Sequence, residues 1–217
     1  MSFSFSTIKD FESHIRASIR GYDDLVNDVV SISSFFIEDN TNVYDIGCST
    51  GHVLYKIHNN PTSTYIGIDK ETTNFRQYHE KYNRQNTSFV YDDITNYKLS
   101  NASLVLSLFT IQFINQAHKQ TVIDNIYNCL NPGGALLIAE KIYSSNTKIN
   151  DIVSQLYCDF KEHNFSLQDI KDKERSLRRM FKLNTKDELV DMCNSAGFVH
   201  IDPIWQNHNF ICYIAIK

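Results

Sequence analysis

Residues 43–51 read Val-Tyr-Asp-Ile-Gly-Cys-Ser-Thr-Gly. A short apolar strand runs into a turn bearing two glycines, and a helix-like segment, His52–His58, follows. Few folds accommodate a strand that turns into a helix through so short a glycine turn. The arrangement belongs to open α/β sheets, where ligands bind in the crevice at the carboxyl ends of the strands. Gly47 and Gly51 allow backbone angles that a Cβ forbids, and they let a ligand come close to the main chain. The helix start offers unpaired N–H groups. Asp69 stands at the tip of a second apolar strand, Tyr65–Ile68, where an acid accepts hydrogen bonds from ribose hydroxyls. The turn is Asp-x-Gly-x-Ser-x-Gly and not Gly-x-Gly-x-x-Gly. That difference points away from a dinucleotide and toward S-adenosylmethionine.

The rest of the chain alternates. Strands are expected at Asn42–Ile46, Tyr65–Ile68, Ser88–Tyr91, Leu104–Leu108 and Ala135–Ala139, with helices at His52–His58, Thr73–Tyr82 and Ala117–Leu130 between them. Near-continuous apolar strands separated by helices predict a parallel sheet covered on both faces. Two helices precede it, Ser6–Ile19 with Ile8, Phe11, Ile15 and Ile19 at helical spacing, and a second from about Asp23 with Leu25, Val29, Ile32 and Phe36 on one face. After Lys141 two largely polar helices, Lys148–His163 and Leu167–Phe181, interrupt the alternation. A helix at Thr185–Ala196, capped by Thr185 and ended by Gly197, resumes it. Val199–Ile201 and Phe210–Ile216 follow with no helix between them, which predicts a reversed edge hairpin and an antiparallel strand seven. The chain is therefore read as one domain over 1–217, with N-terminal helices in 1–38 and a helical lid over the ligand end in 142–183.

Composition excludes several classes. With 217 residues, 42% hydrophobic and 21% charged, the chain is an ordinary globule. A net charge of −4 advertises no broad grip on nucleic acid, though a nucleic-acid acceptor stays open. Lys171, Lys173, Arg175, Arg178, Arg179 and Lys182 read as a solvated helix face interleaved with Asp172 and Glu174. The five cysteines are odd in number and lack a C-x-x-C pair, so neither a disulfide framework nor a metal site is expected, and a reducing cytoplasm fits. Cys48 reads as a small filler within the turn. No signal peptide and no membrane span is read from the sequence.

Taken together, Asp45-Ile-Gly47-Cys-Ser49-Thr-Gly51, Asp69, Asp93-Ile94, Leu130-Asn-Pro-Gly-Gly134 and Ser195-Ala-Gly-Phe198 resemble the motifs of class I S-adenosylmethionine-dependent methyltransferases. The resemblance implies a Rossmann-like seven-stranded sheet with an antiparallel last strand. A narrower one is visible as well. Ile19-Arg-Gly-Tyr22, Phe109-Thr-Ile-Gln-Phe113, Glu140-Lys141, Asp159-Phe-Lys161 and Asn209-Phe210 are similar to the carboxy-S-adenosylmethionine synthase family, which makes a carboxylated cofactor from S-adenosylmethionine and prephenate for tRNA wobble-uridine modification. By that resemblance Tyr22, Gly47, Ser49, Asp69, Asp93 and Ile94 contact the cofactor, and their neighbours Asp45, Cys48, Gly51, Lys70 and Leu108 complete the set. The family has an asparagine where this chain has Leu108. It also has a Lys-Arg-Ser step whose arginine holds the extra carboxylate. Here the segment is Lys173-Glu174-Arg175-Ser176, and sequence alone leaves either Glu174 or Arg175 facing the ligand.

The leading expectation is methyl transfer from S-adenosylmethionine to a small-molecule or RNA acceptor. Carboxy-S-adenosylmethionine synthesis is the first alternative, with carboxy-S-adenosylmethionine then the resident cofactor, and a non-catalytic cofactor-binding partner protein the second. Arg175, Tyr143, Tyr157 and His163 are the lid candidates for orienting a substrate, and no residue declares itself a general base. A homodimer is expected from the polar lid helices and the family resemblance.

Overall fold

The computed structural model describes residues 8, 10–71 and 75–217. Seven strands form one sheet in the order β3-β2-β1-β4-β5-β7-β6. They are β1 (Asn42–Ile46), β2 (Thr64–Ile68), β3 (Thr87–Val90), β4 (Ala102–Leu108), β5 (Leu130–Lys141), β6 (His200–Asn207) and β7 (Phe210–Ile216). The first five run parallel, and β7 inserts antiparallel between β5 and β6. The order reverses between β1 and β4, which opens the crevice at the carboxyl end of β1.

Alternation along the strands divides the core into two layers. Tyr44, Ile46, Leu136 and Ile138 pack on one face against α5 (Gln116–Cys129) and α8 (Lys186–Ala196), through Val122, Ile123, Ile126, Leu189 and Cys193. Val43, Leu104, Leu106, Leu137 and Ala139 pack on the other against α2 (Tyr22–Ser33) and α3 (His52–Lys56), through Leu25, Val26, Val29, Val53 and Leu54. Local chemistry sets the helix starts: Asp10 caps α1 (Phe11–Ser18), and Thr185 and Glu188 form a reciprocal capping box on α8. The start of the expected first helix lies partly outside the described residues, as does Thr73 before α4 (Arg76–Lys81).

Two strands depart from expectation. Leu130, read as the end of a helix, already pairs with Ala102. The chain then loops out over Asn131–Gly134 before Ala135 pairs with Leu104. The last hairpin is longer than its apolar pattern: β6 runs to Asn207 and passes through Pro203. Proline survives there because β6 is the outer strand, whose far side needs no N–H donor. The hairpin itself forms the sheet edge as expected, with β7 antiparallel beside β5 and β6 at the rim.

The excursion after β5 is helical, as α6 (Thr147–Glu162) and α7 (Leu167–Met180), capped by Asn146 and Ser166. Its two ends meet in a bridge between Ile142 and Asn184. Lys119, 1% exposed on α5, donates to the Lys182 carbonyl and to Asn184 Oδ1 at that junction. Lys182 N–H donates to the Gln112 carbonyl (2.8 Å). The lid is therefore anchored at its base to the connection that follows β4. Among the described residues no helix is long and apolar enough to cross a membrane.

Ile138 is wholly buried between β4 and β7. Ile138→Ala is expected to destabilise the protein by about 2–5 kcal/mol, read as a lower urea midpoint with unchanged slope.

Candidate functional site

The strand-one turn is held in an unusual backbone shape. Gly47 (φ +72°), Ser49 (φ +50°) and Gly51 (φ +79°) all lie in the left-handed region. Gly47 and Cys48 donate their N–H groups to the Ile68 carbonyl at 2.7 and 3.1 Å. Ser49 N–H donates to Asp69 Oδ2 (2.9 Å), and Glu71 N–H donates to Asp69 Oδ1 (2.8 Å), so the carboxylate is fixed by two backbone donors. A Cβ on Gly47 would stand 2.1 Å from Thr110 Oγ1, whose hydroxyl donates to the Ile46 carbonyl (2.8 Å). Ser49 is the non-glycine of the three, and His79 supports it. The His79 Nε2 lies 2.7 Å from the Ser49 carbonyl, its Nδ1 lies 3.1 Å from the Tyr91 hydroxyl, and its ring stacks on Phe89 at 3.9 Å. The same Phe89 ring would meet a Cβ on Gly51 at 2.5 Å.

A cavity of about 1110 Å³ opens from this turn and runs under the lid. Pockets for drug-sized ligands measure roughly 300–1,000 Å³, so this space lies just past the upper end of that range. Its two ends differ in charge. At the turn stand Asp45, Asp69 and Asp93. Burial, with the Asp69 charge added, pushes the Asp45 carboxyl up to about 7. Burial also raises Asp69. At the lid end stand Lys141, Lys161 and Lys173, and Glu174 is the one acid that the described lid residues turn into the cavity lining. Lys161 Nζ pairs with Glu174 Oε1 at 2.8 Å and lies 4.2 Å from the Tyr157 ring centre. Lys173 Nζ reaches His14 Nε2 (2.6 Å) and Ser18 Oγ (3.1 Å), which ties α7 to α1. Burial and then the Lys161 and Lys141 charges lower Lys173 to about 8. Burial and then the Lys173 charge lower His14 to about 4.

Tyr22, Asp45, Gly47, Cys48, Ser49, Asp69, Lys70, Asp93, Ile94, Leu108 and Tyr157 all line this one cavity. Lys70 stands 3.7 Å from Asp93 Oδ2. Burial raises the Cys48 thiol, which keeps it a neutral filler. Four expected residues fall elsewhere. Gly51 sits against the Phe89 ring behind the turn. Tyr143 reaches out to Glu188 Oε2 at 3.4 Å. His163 is exposed at the carboxyl cap of α6. Arg175, with 70% of its side chain exposed, pairs with Asp172 at 3.1 Å on the outer face of α7. The helix phase left open by the sequence thus turns Glu174 inward and Arg175 outward. The reading of the basic cluster as a solvated face needs one amendment, because Lys173, Arg178, Arg179 and Lys182 line the cavity.

Sequence reasoning passed over Lys141, Lys161, Lys173, Thr110, Asn209 and Phe210 as site residues. A signal existed for some of them. Ser154, Tyr157 and Lys161 recur at helical spacing on α6, as do Lys173 and Leu177 on α7, and all five line the cavity. Lys141 ends β5, where ligands of such sheets bind.

The residues at the turn fit an adenosyl cofactor. The glycine cradle leaves the main chain bare, Asp69 is held with its oxygens oriented, and Ser49 Oγ is buried with no partner among the described residues. Comparison with known proteins agrees. A family described as a methyltransferase domain matches residues 43–134. The carboxy-S-adenosyl-L-methionine synthase of Staphylococcus epidermidis is 34% identical over 217 residues, covering 99% of this chain and 95% of that protein. The same-named protein of Shewanella halifaxensis is 31% identical, covering 95% of this chain and 88% of the other. Among solved structures, an O-methyltransferase family protein from Burkholderia thailandensis superposes with a TM-score of 0.67 at 16% identity, over 96% of this chain and 59% of that one. The N-methyltransferase NodS from Bradyrhizobium japonicum, in complex with S-adenosyl-L-homocysteine, gives 0.62 at 14% identity, over 94% and 90%.

Two outcomes test the site. Gly47→Ala forces a Cβ against Thr110 and is expected to weaken S-adenosylmethionine binding about tenfold or more by calorimetry. Asp45 takes up protons more readily when folded than when unfolded. Its contribution to stability therefore falls as pH rises from its ordinary 3.8 to about 7. Urea midpoints of ligand-free protein at pH 5 and pH 8 are expected to differ less in Asp45→Asn than in the wild type. The chain belongs to the carboxy-S-adenosyl-L-methionine synthase family, enzymes that use S-adenosylmethionine on a methyltransferase fold.

Proposed function

We propose that this chain carboxylates the methyl group of S-adenosylmethionine, with prephenate as carboxyl donor. The observation that carries the reading is the basic lid end of the cavity, where Lys141, Lys161 and Lys173 face a space that Glu174 alone offsets. An anionic co-substrate suits that end, and a sulfonium cofactor suits the acidic end at Asp45, Asp69 and Asp93. The full-length similarity to proteins named carboxy-S-adenosyl-L-methionine synthase supports the same reaction.

Bound S-adenosylmethionine supplies a methyl group activated by its sulfonium, while prephenate gives up a carboxyl group and its ring hydroxyl, the latter leaving with the methyl proton as water. The chain contributes binding, orientation and exclusion of water. Asp69 receives the ribose hydroxyls. Tyr22 and Phe109 wall the cavity behind the turn, their ring centres 6.5 Å apart. The lid helices and α1 cover the reacting space, joined through Lys173, His14 and Ser18. Arg175 faces outward, so the cations at hand for the donor and product carboxylates are Lys141, Lys161 and Lys173, with Arg178 and Arg179 also in the lining.

Methyl transfer to another acceptor is the second reading. It is favoured by Glu174, whose carboxylate occupies the inward position where it opposes a bound carboxylate, relieved only by Lys161.

Purified protein incubated with S-adenosylmethionine and prephenate is expected to yield carboxy-S-adenosylmethionine by mass spectrometry. Arg175→Ala is expected to leave its rate within about twofold, as exposed ion pairs contribute little. Protein that binds S-adenosylmethionine by calorimetry yet forms no carboxylated product would overturn the proposal. Release of S-adenosylhomocysteine in the presence of an acceptor would establish the second reading.

A further inference from the structure

We propose that the Lys141 ammonium and the Asn209 side-chain amide form a receptor for a hydroxylated carboxylate at the lid end of the cavity, an inference that rests on the anionic co-substrate of the proposed function.

Lys141 is the last residue of β5 and lies directly across from Phe210 on β7. Its ammonium is ringed by aromatic groups, 4.5 Å from the Tyr157 centroid, 5.7 Å from Phe181 and 5.9 Å from Phe210. Among the described residues no ion pair of Lys141 is found. The acids that could supply one are committed elsewhere. Glu174 is bonded to Lys161 at 2.8 Å. Glu140, its chain neighbour, accepts the N–H groups of Ile111 (2.9 Å) and Gln112 (2.7 Å). Burial and then the Lys161 charge lower the Lys141 amine to about 8. A cation brought out of water against ring faces, beside two more cations and with Glu174, already bonded to Lys161, as its neighbouring acid, is half of a binding site.

Asn209 stands beside it. Its main-chain carbonyl accepts the Ile142 N–H (2.8 Å), which fixes the residue next to the end of β5. It is 9% exposed, it lines the same cavity, and its Oδ1 has no hydrogen-bond partner among the described residues. Buried amide oxygens in folded proteins are almost always partnered, so an orphan at a cavity wall asks for a donor from a ligand. The two needs are complementary. A carboxylate answers Lys141, a hydroxyl answers Asn209, and a carbon frame between them packs on Tyr157 and Phe210. A ligand amine is disfavoured by the charges of Lys141, Lys161 and Lys173. Lys141 ends β5, and the Ile142 N–H holds Asn209 in the turn between β6 and β7, so both stand in place before any ligand arrives and binding here needs little reordering.

The experiment uses full-length protein saturated with S-adenosylmethionine. Acetylation of Lys141 by acetic anhydride is followed by mass spectrometry, with prephenate or shikimate as the probe. Shikimate is a hydroxylated ring carboxylate from which the proposed carboxyl transfer is not expected. Prephenate is expected to slow Lys141 acetylation about tenfold, and Lys141→Met, which keeps the aliphatic stem against the rings, to weaken prephenate binding about tenfold. Asn209→Ala is expected to weaken it less, and Lys141→Arg to restore part of the loss. S-adenosylmethionine affinity stays within about twofold in all three variants, which separates a lost receptor from a lost fold. Protection by shikimate without turnover of prephenate keeps the receptor and removes the proposed reaction. Unchanged prephenate affinity in Lys141→Met, protection of Lys141 by S-adenosylmethionine alone, or protection by neither probe overturns the receptor.

Discussion

The buried carboxylate of Glu140 sets the geometry of the ligand end of this sheet. It is 4% exposed at the end of β5, and it accepts the N–H groups of Ile111 and Gln112, which open the short helix after β4. Burial raises its pKa, and the nearby Lys119 charge opposes that rise. Lys119 in turn holds the returning end of the lid through Lys182 and Asn184. A buried acid without such partners would be strongly destabilising. The β4 connection, the tip of β5 and the base of the lid are therefore tied at one point.

Strand alternation then does the rest. Glu140 points into this junction, so Lys141, one residue on, takes the opposite side, toward Tyr157 and Phe210. The neighbouring Gln112 reinforces the arrangement, since its Oε1 accepts the Lys141 N–H (2.9 Å). Structural and ligand-facing roles thus fall on adjacent residues of a single strand. The two-residue period of a β-strand makes that division unavoidable.

The cavity is polarised along its length. Acids cluster where β1, β2 and β3 end, and lysines cluster where β5 meets the lid. That polarity suits the cofactor at one end and the anionic co-substrate proposed for the other, and it requires no large net charge on the protein. The Lys161–Glu174 pair lies on the boundary, with Lys161 nearly enclosed and Glu174 half open. Of Glu174 and Arg175, Glu174 is thus the residue whose charge reaches the cavity.

Much of this was legible in the residues themselves. The turn from Asp45 to Gly51 declared the cofactor end, because at Gly47 and Gly51 a Cβ would run into Thr110 and Phe89. Continuous apolar strands and amphipathic helices declared the layered sheet, and the polar run after Lys141 declared an excursion. The sequence could not reveal which of Glu174 and Arg175 faces inward, since a one-residue change of helix phase turns the side chain by about 100° and leaves the composition unchanged. It also hid the length of β6, expected to end at Ile201, because a strand continues through Pro203 only where a rim position makes the missing N–H harmless. Local periodicity and turn chemistry thus determined the order of elements and the cofactor turn. Only tertiary packing decided the gathering of Lys141, Lys161, Lys173 and Asn209 at one end of a cavity, because those residues come from separate elements that meet through long-range burial.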